Sequence, residues 1–212
     1  MIVLEAVYTI IFWKVLQLNK LDSLILLRNL LRYYIYMNLL FILFVLQLFY
    51  CYSKEYKAVD ELDLTKYDGF WYQVYGDNFN KLFQGNGKCS TAQYKLLDDE
   101  VSVLNSQIDE NNEKDEITGY AYYKDGDCCG YLTVLLDETP EAPYWVLELG
   151  PIVNEKYDYS IVSDNRALSL YVLARDVNRF YESYYTMVLE SLNEFGFNKK
   201  YNEPKIMNQT NC

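Results

Sequence analysis

From about residue 70 onward the chain is cut into short runs of alternating apolar and polar side chains, each closed by turn chemistry and recurring about every ten residues. This rhythm is the strongest constraint on the fold. Period-two alternation places one face of each segment on a core, and regular spacing with tight turns belongs to an antiparallel sandwich or barrel. The runs read as strands over residues 70–78, 90–97, 100–108, 116–123, 130–136, 144–149, 156–163 and 167–174. Asp98-Asp99, Lys124-Asp125-Gly126-Asp127 and Asp164-Asn165 supply turns between them. Eight strands joined mostly by short connections suit an all-β fold, an eight-stranded antiparallel up-and-down β-barrel. Closure removes every sheet edge, and this strand number leaves an interior able to hold one small ligand.

A single helical pattern follows over residues 178–195, where Phe180, Tyr184, Met187, Val188, Leu192 and Phe195 fall in steps of three and four. Asn178 is the expected N-cap and Gly196 the stop. One terminal amphipathic helix after eight strands is expected to pack on the outside of the barrel.

Residues 1–53 differ in character. An apolar run from Leu39 to Phe49 follows Arg28 and Arg32, the arrangement of a signal peptide, with Cys51 and Ser53 at the positions of a cleavage after Ser53. Met37 offers an alternative start, which would leave residues 1–36 outside the translated protein. The competing reading is an uncleaved membrane anchor, formed if the run extends back through residues 33–37. Residues 54–212 then form the one globular domain, entering the secretory pathway and held at a membrane only if the leader persists.

Composition removes several functions. There is no histidine, so the usual general base and the commonest metal ligand are absent. The net charge is −11, and the basic Lys14, Lys20, Arg28 and Arg32 outnumber Glu5 and Asp22 in the leader, so the domain is more acidic still. Such a surface repels nucleic acid and anionic membranes. Paired carboxylates (Asp98 with Asp99, Glu110 with Glu113) sit in turns, where solvated charge is their expected role. No catalytic group, metal site or cofactor is expected.

Residues 63–74, holding Gly69-Phe70-Trp71, resemble the Gly-x-Trp block of the lipocalin family, in its apolipoprotein D and bacterial lipocalin branch. Residues 89–94 and 101–105 resemble that family's second and third strands, and 143–147 its sixth. Residues 157–162 and 170–175 resemble its second and third blocks, and Gln209-Thr210-Asn211-Cys212 the end of this branch. The resemblance implies a carrier barrel for a small hydrophobic ligand, with Arg175 packed over Trp71 at the closed end and a Cys89–Cys212 disulfide. The second bridge common in the family has no cysteine in residues 157–163 to receive it. Physically, Gly69 allows a tight entry to the first strand, Trp71 plugs the barrel, and Arg175 can lie on the indole as a cation–π partner.

With Trp71 inward, alternation carries Gln73 and Tyr75 inward on the first strand, and Tyr171 and Leu173 inward on the last. Val103 and Asn105 form one candidate lining face, and Tyr120 and Tyr122 another. The loop 79–88, through Phe83, is the expected lid. The ligand classes in view are fatty acid, lysolipid, sterol, retinoid and tetrapyrrole. The alternatives are a side-chain-filled barrel serving interaction, with a homo-oligomer linked through Cys128 and Cys129, and a lipocalin-type enzyme. Asn208-Gln209-Thr210 is a glycosylation sequon.

Overall fold

The computed structural model describes residues 20–52, 56–78, 85, 87–98 and 100–212, with backbone alone at 20–23 and 46–52. The chain divides into two compact units, residues 1–53 and 54–212. In the first, α1 (Lys20–Tyr52) is one helix of 33 residues. Its apolar side chains, among them Leu31, Phe41 and Phe44, are exposed. Among the described residues no helix is long and apolar enough to cross a membrane. Ser53, the expected cleavage position, lies outside the described residues.

The second unit opens with a one-turn helix, α2 (Leu64–Tyr67), capped by Asp63, whose carboxylate accepts from the Thr65 N–H. The strands follow: β1 (Gly69–Gly76), β2 (Lys88–Leu96), β3 (Val101–Ile108), β4 (Lys114–Tyr122), β5 (Tyr131–Leu136) and β6 (Ala142–Leu149). A two-residue ribbon of β7 (Ile152–Val153) and β8 (Lys156–Tyr157) precedes β9 (Tyr159–Ser163) and β10 (Leu170–Ala174). Each barrel strand pairs antiparallel with its neighbour, and β10 returns to β1, with Tyr72 opposite Ala174 and Gln73 opposite Leu173. The result is a closed eight-stranded antiparallel barrel of β1–β6, β9 and β10. A short C-terminal strand, β11 (Lys205–Ile206), adds to the upper end of β1.

The helical region after β10 runs as α3 (Val177–Arg179), a π-helical stretch (Phe180–Tyr184) and α4 (Tyr185–Glu194). Its N-cap is Asp176 and not Asn178: Asp176 is extended and its carboxylate accepts from the Arg179 N–H. Gly196 ends the helix at φ +90°, with Phe197 N–H donating to Leu192 O and Gly196 N–H to Asn193 O, a Schellman closure. Phe180, Val188, Leu192 and Phe195 are buried against the barrel wall, whereas Met187 is exposed, so the apolar stripe is narrower than the sequence pattern.

Two apolar clusters result. One fills the barrel, around Trp71, Tyr94, Val103, Val146, Val162 and Leu173. The other lies between wall and helix, joining Val74, Ile161 and Val172 to Phe180, Val188 and Leu192. Hence β2 alternates buried and open positions, whereas β9 is buried at every residue. A strand with interior on one side and a helix on the other has no solvent face to mark with polar residues.

The helix is tied down at Asp158, whose carboxylate accepts from Arg179 Nε at 2.6 Å while the second oxygen accepts from Nη2. Burial pushes this carboxyl up, but Arg179 and the Tyr184 hydroxyl hold it below its ordinary value. A depressed native pKa gives stability that is present above the unfolded value of about 4 and lost as pH falls through the native one. Asp158→Asn is expected to lower stability by about 1–2 kcal/mol at pH 7, part of the charged bond being offset by water at the half-exposed arginine. The loss should shrink below pH 4, as thermal melts of both proteins across pH 2–7 would show.

Candidate functional site

The closed end is built from the N-terminal segment inward. Val59 N–H donates to Val146 O, and Gly130 N–H to Val59 O, which lays the segment across the barrel base. α2 delivers Tyr67 into the interior. Gly69 then turns the chain at φ +112°, and a Cβ there would meet Arg175 Nη1 at 3.0 Å, so glycine is required both for conformation and for room.

Trp71 is fully buried and donates from Nε1 to Tyr67 O at 2.9 Å. The Arg175 guanidinium carbon lies 3.7 Å from the indole centroid. Arg175 does more than stack: it donates to the carbonyls of Phe70 at 2.7 Å, Asp68 at 2.8 Å, Tyr67 at 2.9 Å, and Lys66 and Tyr157 at 3.2 Å. One planar side chain thus gathers α2, the turn and β8 around the indole.

Beside the indole, with the Tyr67 ring 5.1 Å from it, lies a group that the sequence reading missed. The Tyr67 hydroxyl bonds Ser160 Oγ at 3.0 Å and the Tyr144 hydroxyl at 2.8 Å, and Tyr144 donates to the Tyr94 hydroxyl at 3.0 Å. Burial pushes the Tyr67 hydroxyl up to about 12 and raises those of Tyr94 and Tyr144 too, so all stay protonated near neutral pH. The space left beside these rings, against Leu62, Leu64 and Val101, is only about 10 Å³, room for one water at most. The period-two pattern already places Tyr94 on the face of Ala92, but nothing local links it to residues 27 to 66 positions away.

Four of the expected lining residues are gathered on the barrel interior. Val103 and Leu173 are buried there, and Gln73 sits opposite Leu173 with only 4% exposure. Tyr171 packs on the same cluster, and burial, with Asp77 and Asp164 adding to it, raises its hydroxyl to about 12. Asn105 is half-buried opposite Ala92.

Three aromatic assignments are corrected. Tyr75 does not face the interior: the pairing of β1 with β10 slips by one residue between Gln73 and Tyr75, which reverses the alternation. Its ring lies under the helix, 6.3 Å from Phe180. Tyr120 and Tyr122 also point outward. The register sets Gly119 opposite Val103 and Ala121 opposite Val101, so the small residues of β4 share the inner face. Tyr120 is 45% exposed, and the Tyr122 hydroxyl bonds Glu141 at the surface. Phe83 lies outside the described residues.

Cys89 and Cys212 are joined by a disulfide across 123 residues of sequence. Cys128 is exposed and Cys129 half-buried, both free thiols. Asn208 is exposed, its side-chain oxygen accepting from Thr210 N–H and Oγ1. No group of acidic or cysteine side chains suited to a metal occurs among the described residues.

The lipocalin-like domain family matches residues 62–203. The outer membrane lipoprotein Blc of Vibrio cholerae serotype O1 is 33% identical over 121 residues, covering 56% of this chain and 68% of its own length. The Lazarillo protein of Schistocerca americana is 30% identical over 109 residues, 50% of this chain and 48% of that one. Lobster apocrustacyanin A1 shares the fold at a TM-score of 0.56 and 16% identity, over 74% of this chain and 89% of its own. Matched over most of its globular part and closed into the same eight-stranded barrel with an outer helix, the chain belongs to the lipocalin-like family.

Proposed function

We propose that the barrel is a carrier for one small hydrophobic molecule, of the fatty acid, lysolipid, sterol, retinoid or tetrapyrrole classes, and that it has no catalytic role. The observation that carries this reading is the closed eight-stranded barrel with an apolar inner face. An apolar interior sealed at its base carries three polar residues, Gln73, Asn105 and Tyr171, at inner-face positions of β1, β3 and β10. An apolar enclosure with few convergent polar groups is the usual form of a small-molecule site. Val103 and Leu173 supply apolar contact. The Cys89–Cys212 disulfide and the exposed Asn208 sequon support a secreted protein or one resident in the secretory lumen.

Titration of the purified protein with the apolar fluorophore 1-anilinonaphthalene-8-sulfonate tests this. The expected result is saturable enhancement at micromolar concentration, reversed by hexadecanoate and accompanied by quenching of Trp71, which lies in the barrel interior. A flat titration across the named ligand classes would overturn the reading. It would favour the filled barrel that the tight packing at the base suggests, with the exposed Cys128 as the contact for a homo-oligomer.

A further inference from the structure

Two neighbouring thiols stand on the turn between β4 and β5. Cys128 is exposed and Cys129 half-buried. Their backbone is held from several sides. Tyr131 N–H donates to Cys128 O at 3.0 Å, and the Tyr123 hydroxyl donates to Cys129 O at 2.9 Å. Gly130, the next residue, donates to Val59 O, and a Cβ there would stand 2.9 Å from both Ala58 Cβ and Val59 Cγ2. The turn is therefore pressed against the segment that crosses the barrel base.

Where turn and segment meet there is an open cleft of about 450 Å³, lined by Cys129 with Asp60, Glu61, Asp63, Lys66 and Tyr157. Its charge is negative. Lys57 pairs with Asp60 at 3.5 Å and Lys66 pairs with Asp63, which leaves the charge of Glu61. The turn adds Asp125 and Asp127, while its Lys124 pairs with Glu141 at 2.6 Å.

The two sulfurs are not equivalent. The Cys129 thiol donates to the Cys128 sulfur; that bond, then burial, then the surrounding negative charges, Asp60 and Glu61 among them, push its pKa up. The thiolate is the attacking form of a cysteine, so Cys129 is the poorer nucleophile and the exposed Cys128 is the one that meets a reagent. A bridge between the two is disfavoured. The peptide joining them is trans, which sets their Cα atoms about 3.8 Å apart, whereas unstrained disulfides begin at about 4.4 Å.

We propose that Cys128 is a thiol–disulfide exchange site for small cationic disulfides, carrying the amino-thiol half as a mixed disulfide at the edge of the acidic cleft. The Cys128 sulfur attacks one sulfur of the reagent. A new S–S bond forms to Cys128 and the reagent's own S–S bond breaks. The other half leaves as a thiol, taking the proton that Cys128 gave up, so Cys128 is oxidised as the leaving sulfur is reduced. A second copy of the chain is the weaker partner, since two molecules of net charge −11 repel. The site is independent of the carrier reading.

The test is the rate of mixed-disulfide formation by the purified protein with cystamine, which is cationic, and with 3,3′-dithiodipropionate, which is anionic, followed by intact mass and located by peptide fragmentation. One cysteamine per chain on Cys128 is expected, formed about 10-fold faster than the anionic adduct at low salt, the preference falling to about 2-fold in 1 M salt. Cys128→Ser should abolish the adduct and Cys129→Ser should retain it. Glu61→Gln should lower the preference about 2–3-fold, whereas Glu182→Gln, on the outer helix, should leave it unchanged. Equal rates with the two reagents, a preference untouched by Glu61→Gln, or an adduct placed on Cys129 would overturn the proposal. So would loss of two hydrogens with no adduct, the mark of a 128–129 bridge, or a disulfide-linked pair of chains.

Discussion

Replacing Trp71 with alanine is expected to cost the fold about 3–5 kcal/mol, near the upper end of the range for a large aromatic removed from a core. The size of this loss depends on whether the surroundings can collapse into the space left behind. Here they are held open. Arg175 keeps its bonds to the carbonyls of Lys66, Tyr67, Asp68, Phe70 and Tyr157 whether or not the indole is present. The Tyr67 ring, 5.1 Å from the indole centroid, is pinned by Ser160 and Tyr144. The guanidinium would then lie over an empty floor, losing its cation–π partner as well as packing. Trp71→Phe keeps a ring in place but loses the Nε1 bond to Tyr67 O, and should cost about 1–2 kcal/mol. Urea unfolding followed by circular dichroism gives both values. A loss under about 1 kcal/mol for the alanine variant would show that the base of the barrel is not held as described.

Reduction of the Cys89–Cys212 disulfide, or Cys212→Ser, is the second large effect. The bridge closes a loop spanning 123 residues of sequence, and chain entropy sets the stabilisation of so long a loop at roughly 4–5 kcal/mol. The tail is also docked without it. Gln209 Nε2 donates to Gln73 O at 2.8 Å and Ser90 O at 2.7 Å, Cys89 N–H donates to Asn208 O at 2.8 Å, and β11 pairs with β1. The reduced protein should therefore keep its barrel near neutral pH while unfolding at markedly lower urea. Amide exchange should rise first in residues 205–212 and along the paired end of β1. Cys128→Ser with Cys129→Ser should leave the urea midpoint unchanged, since both thiols are free.

The architecture was readable where one face of a strand meets water. β2 and the lower half of β3 alternate cleanly, and their registers agree with the parity read from sequence. β9 and β10 are buried almost throughout because the helix covers their outer side, so alternation there carries little information. Parity failed where a single residue reversed it. The slip after Gln73 sends Tyr75 outward, and no turn residue or glycine marks the place. On β4 the larger aromatic residues suggested the inner face, yet the interior takes Gly119 and Ala121, and Tyr120 and Tyr122 are left to the surface. The hydroxyl cluster of Ser160, Tyr67, Tyr144 and Tyr94 was not legible at all. Its partners stand 50 to 93 residues apart, and only closure of the barrel brings them together. The N-cap was misplaced by two residues because Asn178 and Asp176 are both good caps, and the extended backbone at Asp176 decides between them.

On the carrier reading proposed above, a barrel sealed below by Trp71 and Arg175 encloses one apolar molecule. Native mass spectrometry of the protein, purified from its source or incubated with hexadecanoate, cholesterol, retinol and biliverdin, addresses it directly. The expected result is a single small-molecule adduct per chain, lost when Leu173→Trp fills the barrel interior. The bare protein mass under every condition, or an adduct indifferent to Leu173→Trp, would contradict it.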